Sequence, residues 1–121
     1  MQRVKIVEEE IKENETLFLA LHLETKNSSI MLLSEGEDQL GTLAVALPQV
    51  EKMVGPTLSS VLLGDRNVIV ARMLAERLAA KTGKIALASV FTKTLTEREA
   101  GPTFIKLFDK AMKAKPEEMK K

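Results

Sequence analysis

The pair Gly64-Asp65 is the first candidate for chemistry, since an apolar run ends there and an amphipathic pattern begins. A glycine between a strand and a helix is how many phosphate-binding loops are built. A Walker loop, however, needs further glycines and a Lys-Ser/Thr pair, and a dinucleotide site needs three glycines. Here one glycine is followed by an aspartate, which repels phosphate. The pair therefore predicts a turn and a helix start, and no nucleotide cofactor.

The single histidine, His22, is the second candidate. A zinc site needs several His, Cys, Asp or Glu ligands, and the sequence has no cysteine. His22 lies in a run that alternates with period two, so a packed or interface histidine is the favoured interpretation. No Gly-x-Ser-x-Gly nucleophile motif occurs either. We therefore expect no catalytic residue, no metal and no cofactor, and a protein that is not an enzyme.

Two groups of charged residues lie between apolar runs. The first comprises Glu35, Glu37 and Asp38, and the second comprises Lys93, Glu97, Arg98 and Glu99. Neither has the ligand spacing of a calcium loop. Exposed charges steer association and set partner choice, so we interpret both groups as partner-binding loops. Ordinary solvated loops remain the alternative, and in either case reversing Glu97 and Glu99 to Lys should leave stability nearly unchanged.

The elements that would position these groups follow from the periodicity of apolar residues. Strands are predicted over 3–15, 16–25, 28–35, 40–49, 57–64 and 84–93. A helix is predicted over 66–82, with Asp65 or Asn67 as its N-cap, Gly83 after its last turn, and a stripe that begins at Ile69 and Val70. A last helix should begin at Pro102, while Thr96 and Glu99 would form a capping box for an earlier turn.

This order predicts an α+β domain, with a six-stranded, mostly antiparallel sheet and two late helices on one face. Residues 1–115 should form this single domain, and residues 116–121 a flexible C-terminal tail.

Both faces of the predicted sheet are apolar, because its strands alternate large with small apolar residues. Two helices can cover only one face, so a homodimer with its sheets packed face to face is expected. Small side chains let two sheets approach closely, which suggests that the small-residue face is the dimer face. That face carries Phe18, Ala20, His22, Ala44, Ala46, Ala86 and Ala88.

The composition narrows the class of protein. Eighteen basic and seventeen acidic residues leave a net charge of +1, so no basic field attracts nucleic acid. No apolar run has the length of a membrane span, and no signal peptide is recognisable. We therefore expect a cytoplasmic protein that binds neither nucleic acid nor membrane. Many Lys and Glu residues without cysteine are typical of thermophile proteins.

The stretch from Ser59 to Phe91 carries a more specific pattern. A run of the form S-x-L-L-G is followed by a helix of the form A-x-x-L-A-x-x-L-A-x-K-T. The matching residues are Ser60, Leu62, Leu63, Gly64, Ala71, Leu74, Ala75, Leu78, Ala79, Lys81 and Thr82. In these residues the sequence resembles the proteasome assembly chaperone 3/4 family, and the likeness extends over roughly residues 16–114.

The resemblance implies a non-enzymatic chaperone that dimerises, binds α subunits of the 20S proteasome and promotes α-ring formation. It implies an archaeal-type member that pairs with itself. Some proteasome-binding proteins dock through a terminal hydrophobic-Tyr-x motif, and the sequence has no tyrosine, so binding through a surface or loops is expected. The alternative is a dimeric α+β scaffold or regulatory module that binds another protein or a small ligand.

Overall fold

The structure is a computed structural model that describes residues 3–48 and 58–114. The strands are β1 (Lys5–Glu13), β2 (Thr16–Glu24), β3 (Ser28–Glu35), β4 (Thr42–Ala46), β5 (Ser59–Leu63) and β6 (Ile85–Phe91). The helices are α1 (Val68–Thr82) and α2 (Glu97–Lys113). This confirms the predicted α+β fold, with two late helices and a six-stranded sheet. The predicted tail, 116–121, lies outside the described residues.

The sheet has the strand order β1-β2-β3-β6-β4-β5. Its pairs are antiparallel except for β3 with β6, which run parallel. The last strand in sequence, β6, therefore lies between β3 and β4 and joins a three-stranded meander to a hairpin. Gly41 allows the close approach of β4 to β6, because a Cβ at this position would lie 2.2 Å from the carbonyl oxygen of Val90.

The core lies between the helices and the small-residue face of the sheet. Its sheet residues are Phe18, Ala20, Met31, Leu33, Ala44, Ala46, Ala86, Ala88 and Val90. Its helix residues are Val70, Ala71, Leu74, Ala75, Leu78, Ala79, Ala100, Phe104, Leu107, Phe108 and Ala111. The small strand residues leave room for the larger helix residues, as close packing requires.

The predicted dimer face is therefore wrong. Phe18, Ala20, Ala44, Ala46, Ala86 and Ala88 are buried under the helices, and His22 is buried on the same side of β2. Small side chains do allow close approach, but here the partners that approach are α1 and α2, not a second sheet. The rest of that expectation, a homodimer, then has to involve the opposite face.

The opposite face presents large apolar side chains on four strands. They are Leu17, Leu19, Leu21, Leu23, Ile30, Leu32, Leu43, Val45, Leu87 and Phe91, and we call this set the leucine face. Each is half-buried by its neighbours in the sheet, and none belongs to the core cluster. Within residues 3–48 and 58–114, both helices lie on the other side of the sheet.

Helix α1 begins after Asn67, one of the two predicted N-caps, but two details of this end differ from the prediction. Asn67 is the N-cap residue, but its side chain makes no capping bond and donates instead to Thr92 Oγ1 at 2.9 Å. The buried stripe recurs at i, i+1, i+4 and i+5 from Val70, so Ile69 lies off it and is 72% exposed. The predicted end is confirmed, because Gly83 has φ 68° and its N–H binds the carbonyl of Ala79.

Helix α2 begins one turn earlier than predicted. Thr96 and Glu99 form a capping box, as expected, but they cap α2 itself. Pro102 therefore lies inside the helix rather than at its first position. The capping box gives hydrogen-bond acceptors to the amides of Thr96 and Glu99, so Thr96 determines where the helix begins. The restricted φ of Pro102 does not.

Candidate partner-binding surface

The two predicted charged loops meet at one end of the sheet. β3 ends at Glu35 and β6 ends at Phe91, and because these two strands are parallel their carboxyl ends lie side by side. The loop that follows β3 and the loop that joins β6 to α2 are therefore neighbours. Sequence spacing alone did not require this, since 58 residues separate Glu35 from its bonding partner Lys93.

Glu35 holds the two loops together. It is buried, and its carboxylate accepts hydrogen bonds from the amides of Lys93 at 2.8 Å and Thr94 at 3.1 Å, and from Thr94 Oγ1 at 2.5 Å. The amide of Leu95 lies 3.4 Å away. Burial alone would raise the pKa of Glu35, but these hydrogen bonds stabilise the carboxylate and leave the pKa below its usual value. A buried, saturated carboxylate is a structural group, so Glu35 is not free to bind a partner.

Glu97 and Glu99 are also occupied by the protein itself. Glu97 Oε2 accepts from the amides of Ile69 at 2.7 Å and Val70 at 3.1 Å, two first-turn donors that have no acceptor within α1. Glu99 accepts from the amide and hydroxyl of Thr96, and these bonds lower its pKa. Replacing both acids would thus disturb two helix starts, so a loss of stability is expected in place of no change.

The remaining charges of the two loops are exposed. Lys93 Nζ lies 3.3 Å from Glu37 Oε1 across the loops, and this ion pair is solvated. Arg98 is exposed on the first turn of α2. Asp38 is exposed but lines a cleft with Glu8, Leu19 and Leu21, at the edge of the leucine face. Of the seven predicted partner-binding residues, Glu37, Lys93, Arg98 and Asp38 thus keep side chains that a partner could reach.

Exposed apolar residues near this end were not predicted. Ile69, the second residue of α1, lies next to Glu97, and Leu40, Leu62 and Leu63 are also exposed. A signal was present, because Val68, Ile69 and Val70 are consecutive in a helix and successive residues point about 100° apart. Such a run cannot face the core completely.

Two groups considered for chemistry have structural roles. His22 Nε2 lies 2.6 Å from Ser29 Oγ, and both residues are buried, so the serine is not accessible as a nucleophile. The pKa of His22 is lowered, mainly because burial disfavours the charged imidazolium. Gly64 has φ 94°, as a turn requires, and the first α1 amides that could bind phosphate are taken by Glu97.

Residues 3–48 and 58–114 offer neither a metal-ligand cluster nor a membrane-spanning helix. These residues contain no group of three or more side chains placed to ligate a metal ion. Their two helices are too short or too polar to cross a bilayer.

Comparison with known proteins gives a match by structure and none by sequence. No family model matches the sequence, and no curated protein matches it. The fold is similar to a chain in the crystal structure of a chaperone complex for yeast 20S proteasome assembly. The TM-score is 0.67 at 10% sequence identity, and the match covers 92% of this chain and 94% of that chain.

Proposed function

We propose that this protein is a non-enzymatic assembly chaperone that binds 20S proteasome α subunits and promotes α-ring formation in the cytoplasm. The observation that carries the proposal is the similarity of the whole fold to a chain of a yeast 20S proteasome assembly chaperone complex. Because that similarity is one of fold, the proposal also depends on the sequence resemblance around Gly64.

The working form is a homodimer that packs leucine face on leucine face, with the helices outside. Ten large apolar side chains lie side by side on this face, as an interaction surface would. The charged residues of β1 that share the face, Glu8, Glu10 and Lys12, lie along one edge. The apolar area is therefore continuous from β2 to β4, and charge would lie at the rim of the interface.

The α subunit is bound at the end of the sheet where the two loops meet. Glu37, Lys93 and Arg98 supply exposed charge there, and Ile69 and Leu40 supply exposed apolar surface. An assembly chaperone has to leave its client, so a modest interface of mixed polarity is suitable. Glu35 contributes indirectly, because it fixes the position of the loop that carries Lys93.

The test of function is binding to purified, free α subunits from the source organism, compared with assembled 20S particles. We expect the free subunit to bind more tightly, and binding to weaken as salt rises, since screening shortens the range of exposed charges. Arg98→Glu should slow association about tenfold or more. The matched control is Lys113→Glu at the far end of α2, which should leave association unchanged. No binding to any α subunit at low salt would refute the proposed function.

The dimer has its own test. Leu21 lies on the middle strand of the meander β1-β2-β3, on the leucine face. Leu21→Lys should convert the dimer to the 13.4 kDa monomer in light scattering, because a buried, unpaired charge costs several kcal/mol. Ile69→Lys, on α1 and away from that face, should leave the mass unchanged. A wild-type protein that is monomeric at micromolar concentration would overturn the homodimer.

A further inference from the structure

The two edge strands of the sheet are protected very differently. β1 carries Lys or Glu at six of its nine positions, and such charges prevent another strand from pairing with an edge. β5, the opposite edge, has the sequence SSVLL, without a charge or a proline. Leu58, Leu62 and Leu63 along it are exposed. Within residues 3–48 and 58–114, β4 alone pairs with β5.

The register shows which backbone groups of β5 are free. The amide of Leu47 donates to the carbonyl of Leu58, which fixes the hydrogen-bonded positions of this antiparallel pair. Ser60 opposite Val45 is the next such position along the ladder. The N–H and C=O groups of Ser59 and Val61 therefore point away from β4, toward the open side of β5.

Helix α1 forms a wall above this free edge. Ile69, Arg72 and Glu76 lie at i, i+3 and i+7, so they share one stripe of the helix. The stripe faces β5, because Ser59 Oγ donates to Glu76 Oε2 and accepts from Arg72 Nε at 3.1 Å. Ile69 begins this wall toward the Leu63 end and is 72% exposed, more than any other large apolar residue described.

We propose that the β5 edge and the Ile69–Glu76 stripe of α1 form a docking site for an extended segment of a partner protein. The segment would add a strand to the sheet through the free backbone groups of Ser59 and Val61. Its apolar side chains on the helix side would cover Ile69, and an acidic side chain would pair with the exposed Arg72. Main-chain bonds give affinity in such strand addition, and the side-chain contacts give specificity.

A second copy of this chain fits the edge less well. In a β5–β5 pair, the side chains placed beneath the partner's helix would be those of Ser59 and Val61, which share the helix side of the sheet with Ala46 and Ala44. Ser59 is small and its hydroxyl is already bonded to Glu76 and Arg72. Such a pair would leave Ile69 uncovered, whereas a segment with larger apolar residues would bury it.

The test uses isotope-labelled full-length protein and the blocked peptide acetyl-DITVTID-amide. We expect hydrogen exchange of the Ser59 and Val61 amides to slow about tenfold or more when the peptide is present, because these donors become paired. A peptide with methylated nitrogens at all five residues between its aspartates lacks the matching donors in either strand direction and should have no such effect. Ile69→Lys should weaken peptide binding about tenfold, since an apolar contact is lost. Ile85→Lys is the matched control, because Ile85 is 40% exposed but begins the internal strand β6.

Three results would overturn this inference. The first is no slowing of exchange at a peptide concentration of about 1 mM, which equals the largest dissociation constant expected for such a contact. The second is equal binding of the methylated peptide. The third is full protection of Ser59 and Val61 without peptide, which would mean that a second copy or the chain itself occupies the edge. The peptide test involves no α subunit, so failure here leaves α-subunit binding at the two loops untouched, and failure of α-subunit binding leaves this site intact.

Discussion

At the scale of single residues, Glu35 is the clearest case of a charge that serves the fold. Glu35→Ala should lower the free energy of unfolding by about 2–3 kcal/mol, because the amides of Lys93 and Thr94 and a hydroxyl lose their acceptor. Urea unfolding measures the change. Glu37→Ala is the control, since that side chain is exposed and should change stability by about 0.5 kcal/mol or less. Equal effects of the two substitutions would contradict the structural role.

Stability should fall in acid in two steps. The pKa of His22 is lowered in the folded protein, so the unfolded chain takes up a proton first as the pH drops below about 6.5. The pKa values of Glu24, Glu35 and Glu99 are also lowered, so their contribution is present above about pH 4.5 and is lost as the pH falls through the folded values. Urea unfolding between pH 7 and pH 3 measures both steps. Glu35→Gln should reduce the lower one, and an unchanged profile in that variant would contradict the assignment.

The roles of individual acids could not be predicted from the sequence. A solvated glutamate and one that receives amides from a distant loop have the same local pattern. What distinguishes Glu35 is the parallel pairing of β3 with β6, which brings Thr94 to it across 59 residues. The capping box of Thr96 and Glu99 was predictable, because it depends on residues only three apart.

At the scale of elements, Glu97 joins the two helices. It lies in the first turn of α2, yet its carboxylate accepts the first amides of α1. Glu97→Lys should therefore destabilise the protein by about 1–2 kcal/mol, since the α1 amides lose an acceptor and a positive charge faces the positive end of the helix dipole. Thermal or urea unfolding reports the loss. Arg98→Glu, the adjacent charge reversal, should change stability by about 0.5 kcal/mol or less; similar losses in both variants would contradict this link.

The kinds of element and their number followed from the periodicity of apolar residues, whereas some details did not. Strand β2 was predicted by leucines at every second residue, and the end of α1 by Gly83. The start of α2 differs from the prediction, because Pro102 lies inside the first two turns of the helix and is not its first residue. The stripe of α1 was misassigned at Ile69, since three consecutive apolar residues fit more than one helical face.

At the scale of the whole molecule, the dimer interface and the β5–α1 edge should act independently. The leucine face and the β5–α1 edge involve different residues, so Leu21→Lys should abolish the dimer and leave binding of the DITVTID peptide within about twofold of wild type. Ile69→Lys should do the reverse. Light scattering and peptide titration of the two single variants and the double variant test this. Loss of peptide binding in folded Leu21→Lys would show that the edge depends on the dimer.

The sequence predicted a sheet with two apolar faces and only enough helix to cover one of them. It predicted the wrong face for the helices, because the choice depends on how side-chain volumes match across the whole core. Small residues such as Ala44 and Ala88 can pack against a second sheet or against a helix with large side chains. Large residues of α1 and α2, such as Leu74 and Phe104, fill the space above these alanines. This match between helix and sheet is visible only in the assembled layers.

The position of β6 has a consequence for synthesis on the ribosome. β3 and β4 are complete once residue 46 has emerged, but the strand that bridges them ends at Phe91. At about 5–20 residues per second, the nascent chain waits about 2–9 seconds for its central strand. During that time a meander and a hairpin each have an unfilled inner edge, one at β3 and one at β4. The nascent chain therefore exposes two strand edges, available to general folding factors, until β6 has been synthesised.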